Sequence, residues 1–295
     1  MLFLAYKGFE RFLKGPLTWE NYKRLVIDPY PVMRNYHLIF SAFLGGIEGL
    51  KAIVSTISPE RYLEVLSRVK DEELLEIHES VMARCAEVVQ PEPEVDVYLI
   101  LSPFMPSSMS VPASGKMNVV ASVAYGEKLP LVLSHEYAHC IFVPKMSESG
   151  LVERFTDDLS NKEFYELISK LWFDRPLKWG MINEGFASFF TKFVFPECSM
   201  YEALWMMPKE AIDWCARNEG KLKEEISRNL EERGQEALRK YFMAGPLSSP
   251  PEGFPGQTAY YAGYRIVESC LKRISLKEFF SLGIDEIISA SEYFK

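Results

Sequence analysis

Two short stretches of this chain carry a strand-like pattern, and most of the remainder has helical spacing. Val95-Asp96-Val97-Tyr98-Leu99-Ile100-Leu101 is rich in β-branched and aromatic residues, as is Asn118-Val119-Val120-Ala121-Ser122-Val123-Ala124, which stops at Gly126. A Pro/Ser/Gly-rich loop, from Ser102 to Gly115, is expected between them. A few strands followed by many helices make an α+β arrangement with a small mixed sheet.

Residues 1–90 read as a mostly helical region. Ser58-Pro59-Glu60 begins one helix, with apolar residues recurring at Tyr62, Leu63, Val65, Leu66 and Val69. A second is expected from Glu72 to Val89. Gln90-Pro91-Glu92-Pro93 breaks that pattern and is the best boundary, leaving 91–295 as a second domain. Pro130 suits the first turn of a helix that passes through His139 and stops before Pro144. Beyond residue 150 the chain is again helical, including a helix over 161–173, with breaks at Pro176, Pro196, Pro208 and Gly245-Pro246.

Composition removes several function classes. The formal net charge is −8, and no long basic run exists, so a nucleic-acid surface is not expected. The most apolar stretch, Leu38 to Ile57, is interrupted by Gly45, Gly46, Glu48, Gly49 and Lys51. It falls short of the roughly 20 apolar residues that a bilayer span needs and reads as a helix of a soluble protein. The 5 cysteines are scattered without a C-x-x-C pair, which suits free thiols in a reducing compartment. Met1 to Lys7 has neither a basic n-region nor a long apolar core. Together these features predict a cytoplasmic protein.

The chemistry concentrates in Ser134-His135-Glu136-Tyr137-Ala138-His139-Cys140, an H-E-x-x-H pattern. Residues four apart share a helix face, so both imidazoles can approach one Zn²⁺ at about 2.0–2.1 Å. Glu136 is rotated by about 100° from His135 and is expected to reach a metal-bound water as general base. The uncharged neighbours Leu131, Val132, Leu133, Ala138, Ile141 and Phe142 predict burial nearly all round. Buried His and Glu side chains without partners would cost several kcal/mol, a cost a metal removes. Cys140 is expected to be a buried structural thiol.

A third ligand is needed. Lys145 stands six residues past His139 and Phe142 replaces the turn glycine, which rules out the elongated three-histidine pattern. A carboxylate is therefore expected. Met181-Ile182-Asn183-Glu184-Gly185-Phe186-Ala187-Ser188 offers a single charge, Glu184, in an apolar helix whose small residues permit close helix approach. Glu153, Asp157 and Asp158 compete with it from a polar stretch.

H-E-x-x-H followed by N-E-G-F-A resembles the gluzincin metallopeptidases, the group that includes thermolysin and the aminopeptidase N family. That resemblance implies metal ligands at His135, His139 and Glu184, a base at Glu136, and a zincin-like core within 91–295. The chain departs in spacing, since Glu184 follows His139 by 45 residues, a longer gap than in known gluzincins. It is also similar to an uncharacterised family of predicted Zn-dependent proteases, which adds a Tyr-rich segment, here Ala259-Tyr260-Tyr261-Ala262-Gly263-Tyr264-Arg265-Ile266. The resemblance implies an oxyanion-stabilising tyrosine, with Tyr260 or Tyr264 as candidates and core aromatics as the ordinary alternative. Arg265 could anchor a substrate carboxylate or make a surface ion pair. Strand 118–124 would be the edge strand that pairs with extended substrate. The Gly-Ala-Met-Glu-Asn segment of aminopeptidase N-like enzymes is missing.

The expectation from sequence is thus a zinc-dependent peptidase acting on peptides or unstructured protein. Its competitor is a non-catalytic zinc-binding protein that uses the same fold as a binding or regulatory scaffold.

Overall fold

The computed structural model describes residues 1–90, 93–104, 107–245 and 248–295. Pro91 and Glu92 of the expected boundary, and Pro246 of the expected break, lie outside the described residues. The architecture is α+β, with many helices and one four-stranded mixed sheet. Two compact units emerge, 1–140 with 149–167, and 141–148 with 168–295.

The first unit contains the sheet. Its strands are β1 (Leu2–Phe3), β2 (Val97–Ile100), β3 (Ser108–Ala113) and β4 (Lys116–Ser122), in the order β1-β2-β4-β3. β1 and β4 flank β2 in parallel, and β3 runs antiparallel to β4. Every residue of β2 is buried, and β4 is buried from Met117 to Ser122, as expected for a sheet covered on both faces. α1 (Tyr6–Leu13) packs on β2, α2 (Pro31–Phe43) on β3, and α3 (Pro59–Leu66) on α1, with α4 (Asp71–Val88) following in the same unit. Asn35 of α2 donates to the Pro112 carbonyl at 2.9 Å, which ties α2 to the open edge of β3.

Three expectations need correction here. The 102–115 segment is not all loop, because β3 occupies 108–113. Its hairpin turn is Ser114-Gly115, both at positive φ (52° and 73°), the backbone that a two-residue turn between twisted strands requires. Pro112 masked the strand in the sequence, and an edge strand tolerates it. As a result β4 is an interior strand, and β3, not residues 118–124, forms the edge. Finally, the apolar stretch 38–57 is not one helix. It breaks by 97° between Pro31–Phe43 and Ile47–Ser55, where Gly45 and Gly46 take φ of 77° and 95°. No single helix among the described residues is long and apolar enough to cross a membrane.

After β4, Ser122 caps a short 3-10 turn (Val123–Lys128), which feeds α5 (Leu129–Met146). Pro130 enters the first turn, where its missing N–H costs nothing. Pro144 lies inside the last turn rather than beyond it. The helix survives it because only one hydrogen bond is lost near an end that is already open. α6 (Asn161–Ile168) continues into a π-helical turn over Ser169–Phe173, matching the expected 161–173 helix.

In the second unit the central pair is α7 (Leu177–Val194) and α9 (Thr258–Leu271), with α8 (Glu219–Asn229) and α10 (Ile284–Ser291) packed around α9. Gly185 of α7 and Gly263 of α9 meet backbone to backbone. An added Cβ at Gly185 would fall 2.1 Å from the Gly263 carbonyl carbon, and one at Gly263 would fall 1.9 Å from the Met181 oxygen. Small residues near Glu184 were expected to allow close helix approach, and Gly185 does so against α9. The C-terminal part of α5 packs on α7 through larger groups, with Phe142 stacked on Phe186 at 5.6 Å.

A candidate metal centre

α5 is buried without interruption from Val132 to Val143, so its polar side chains have little water to solvate them. His135, Glu136 and His139 are 1%, 4% and 5% exposed. One helical turn separates the two histidines, and their rings stand nearly perpendicular (83°), 4.9 Å apart. Their Nε2 atoms approach to 3.2 Å. Two nitrogens bound to one tetrahedral zinc at about 2.0–2.1 Å must lie about 3.3 Å apart, so the pair already has the span of a shared ion.

Glu184 lies on α7 and is half-buried. It is the carboxylate that the sequence singles out as third ligand, carried on a helix of the second unit. Two imidazoles at this spacing, joined by a carboxylate, make a donor set of the kind that suits Zn²⁺. The competing acids are engaged elsewhere. Asp157 accepts from the Ser114 hydroxyl at 2.8 Å, Asp158 from Thr156 at 2.6 Å, and Glu153 is exposed.

The other singled-out residues have structural surroundings. Tyr264 is buried against Phe189, ring centroids 5.5 Å apart, and burial pushes its phenol far up, with Glu268 adding to the effect. Tyr260 is half-buried, its ring edge-on to Phe242 at 5.9 Å. Arg265 makes ion pairs with Glu219 and Glu268 at 3.3 Å each. Cys140 is buried, and burial pushes its thiol well above the usual range, with the Glu136 charge adding to the shift. All 5 cysteines are free and buried.

Sequence reasoning passed over Tyr125. It sits in the turn before α5, hydrogen-bonded with Ser108 of β3 and within electrostatic reach of Glu136. Burial pushes its phenol up to about 12, Glu136 pushes the same way, and Ser108 opposes them. The only available signal was its place just before the histidine helix. Proximity to Glu136 needs the turn geometry.

The model of the gliding motility protein GldB family matches residues 51–295. The chain belongs to that family. No curated protein and no solved structure matches it. The family assignment overturns the likeness to gluzincins and to the predicted Zn-dependent proteases, and with it the expected zinc peptidase and its hydrolase activity. The physical reason is that H-E-x-x-H and a distant glutamate specify how a cation can be held. They do not specify which reaction, if any, follows. The GldB model is also designated as one of lipoproteins, which conflicts with the cytoplasmic location expected from cysteine usage and the amino terminus.

Proposed function

We propose that this GldB-family chain is a zinc-binding component of gliding motility, with one Zn²⁺ held by His135, His139 and Glu184. The observation that carries this reading is the 3.2 Å approach of the two Nε2 atoms in a buried helix. Glu136 adds negative charge to the same dry region, which favours a divalent cation there. A bound zinc would supply folding free energy by cross-linking its ligands in the native state alone. His135 and His139 would contribute their Nε2 lone pairs, and Glu184 a carboxylate oxygen. In keeping with the lipoprotein designation, the protein would act at the cell envelope. Its partners would be proteins, since a net charge of −8 repels phosphate backbones.

Metal analysis of the purified full chain tests this. The parent should carry about one zinc per chain. Glu184→Gln and His139→Gln should weaken zinc binding by more than the roughly 10–100-fold typical of losing an outer partner. Cells carrying either variant should spread poorly on agar. A parent protein that binds no divalent metal, or variants that bind it as well as the parent, would refute the proposal. Recovery of the protein in the soluble fraction alone would refute its envelope location.

A further inference from the structure

A separate cluster of charge lies in the second unit, where α8, α9 and α10 border a cleft of about 370 Å³. Five cationic side chains line it, Lys223, Arg265, Lys272, Arg273 and Lys295, against three carboxylates, Glu219, Glu268 and Glu292. That local excess is unusual in a chain of net charge −8.

The carboxylates are already engaged. Glu219 faces Arg265 at 3.3 Å, and Glu268 is shared by Arg265 and Lys272, each at 3.3 Å. Glu292 is shared by Arg273 and by Lys295 at 2.9 Å, and these two cations hold its carboxyl down to about 2. Lys223 is left over. Its ammonium lies 4.5 Å from the centre of the Tyr293 ring and has no carboxylate partner among the described residues. The Tyr293 ring is 5% exposed, so it forms a fixed platform under that ammonium. Its hydroxyl is buried beside Glu219 and falls short of ordinary hydrogen-bond geometry.

We propose that this cleft binds a phosphate monoester, with Lys223 as its principal contact and Lys272 and Arg273 flanking it. The charge arithmetic favours this class, because an excess of two cations matches the roughly −1.5 to −2 charge of a monoester near neutral pH. Lysine serves such a group as a compact point charge. The monoester could belong to a phosphorylated small molecule or to a phosphatidate headgroup, and the two sources share this chemistry.

The test uses the full chain. Inorganic phosphate and phenyl phosphate are titrated calorimetrically, and vesicles of phosphatidylcholine with and without phosphatidate are used in co-sedimentation. Saturable phosphate binding is expected, weakened about tenfold by Lys223→Gln, restored by Lys223→Arg, and unaffected by Lys51→Gln, a lysine of the first unit. Binding of phosphatidate vesicles that depends on Lys223 would assign the site to a lipid headgroup. Binding of the soluble esters alone would assign it to a small molecule. The proposal is overturned if neither probe binds saturably, or if Lys223→Gln and Lys51→Gln weaken binding equally.

Discussion

Replacing Gly185 by alanine puts a methyl group where the backbone of α9 already lies. The new Cβ would sit 2.1 Å from the Gly263 carbonyl carbon and 2.3 Å from its oxygen. Carbon atoms pack at about 3.5–4.0 Å, so α7 and α9 would have to part by about 1.4 Å. No rotamer change can relieve this clash, because a Cβ is fixed by its own backbone and the obstacle is main chain. Overpacking a well-filled core commonly costs about 1–3 kcal/mol. A forced backbone displacement belongs at the upper end, so about 3 kcal/mol is expected. For a chain of this size each kcal/mol lowers Tm by about 2–4 °C, which predicts a drop of about 6–12 °C. Circular dichroism melts, with zinc content measured in parallel, provide the assay. Gly220→Ala is the matched control, since nothing lies within 4 Å of its Cβ direction on α8. It should be neutral or stabilise by up to about 1 kcal/mol. If Gly185→Ala melts within about 2 °C of the parent, the backbone contact does not set the α7–α9 distance, and the reasoning fails.

Two further outcomes are expected. His37 is buried between the Tyr22 hydroxyl (2.7 Å) and the Met33 carbonyl (2.6 Å), and burial lowers its pKa to about 4 from 6.5. Between those values the unfolded chain takes up a proton that the folded state refuses, so stability falls as pH drops from about 6.5 towards 4, by up to about 3 kcal/mol. Denaturant titrations should show this slope flattened in His37→Gln, and equal slopes in parent and variant would count against it. Asn118 donates to the carbonyls of Val111, Ala113 and Lys116, all at 3.2 Å, and so braces the β3–β4 hairpin from within. Asn118→Leu should cost about 1–3 kcal/mol, because it leaves buried carbonyls short of a donor. Unchanged hydrogen-exchange protection of β3 in that variant would show that the brace is dispensable.

Much of the secondary structure was legible in the sequence. The helices at 59–66 and 71–88, strands β2 and β4, and the histidine helix all announce themselves by apolar period, and the helices at 59–66 and 129–146 also by Pro at the first turn. β3 did not, because Pro112 interrupts its pattern and the Ser114-Gly115 turn reads equally well as loop. The bend at Gly45-Gly46 was also missed, since interruption of an apolar run shows where a helix is weak and not whether it breaks. In the site, His135 and His139 were legible because their separation is fixed within one turn. Tyr125 was not, because its approach to Glu136 depends on the 3-10 turn between β4 and α5.

By itself the sequence determined what lies within a few bonds or one helical turn: the paired imidazoles, the single charge of Glu184 in an apolar helix, and the period of each segment. These follow from covalent geometry, which no later packing can alter. Only the tertiary structure decided which partner each surface met. It set Gly185 against Gly263, made β3 an edge in place of β4, and buried Tyr264 against Phe189. Such pairings depend on how all the apolar faces are buried together, a property of the whole chain that no local spacing encodes.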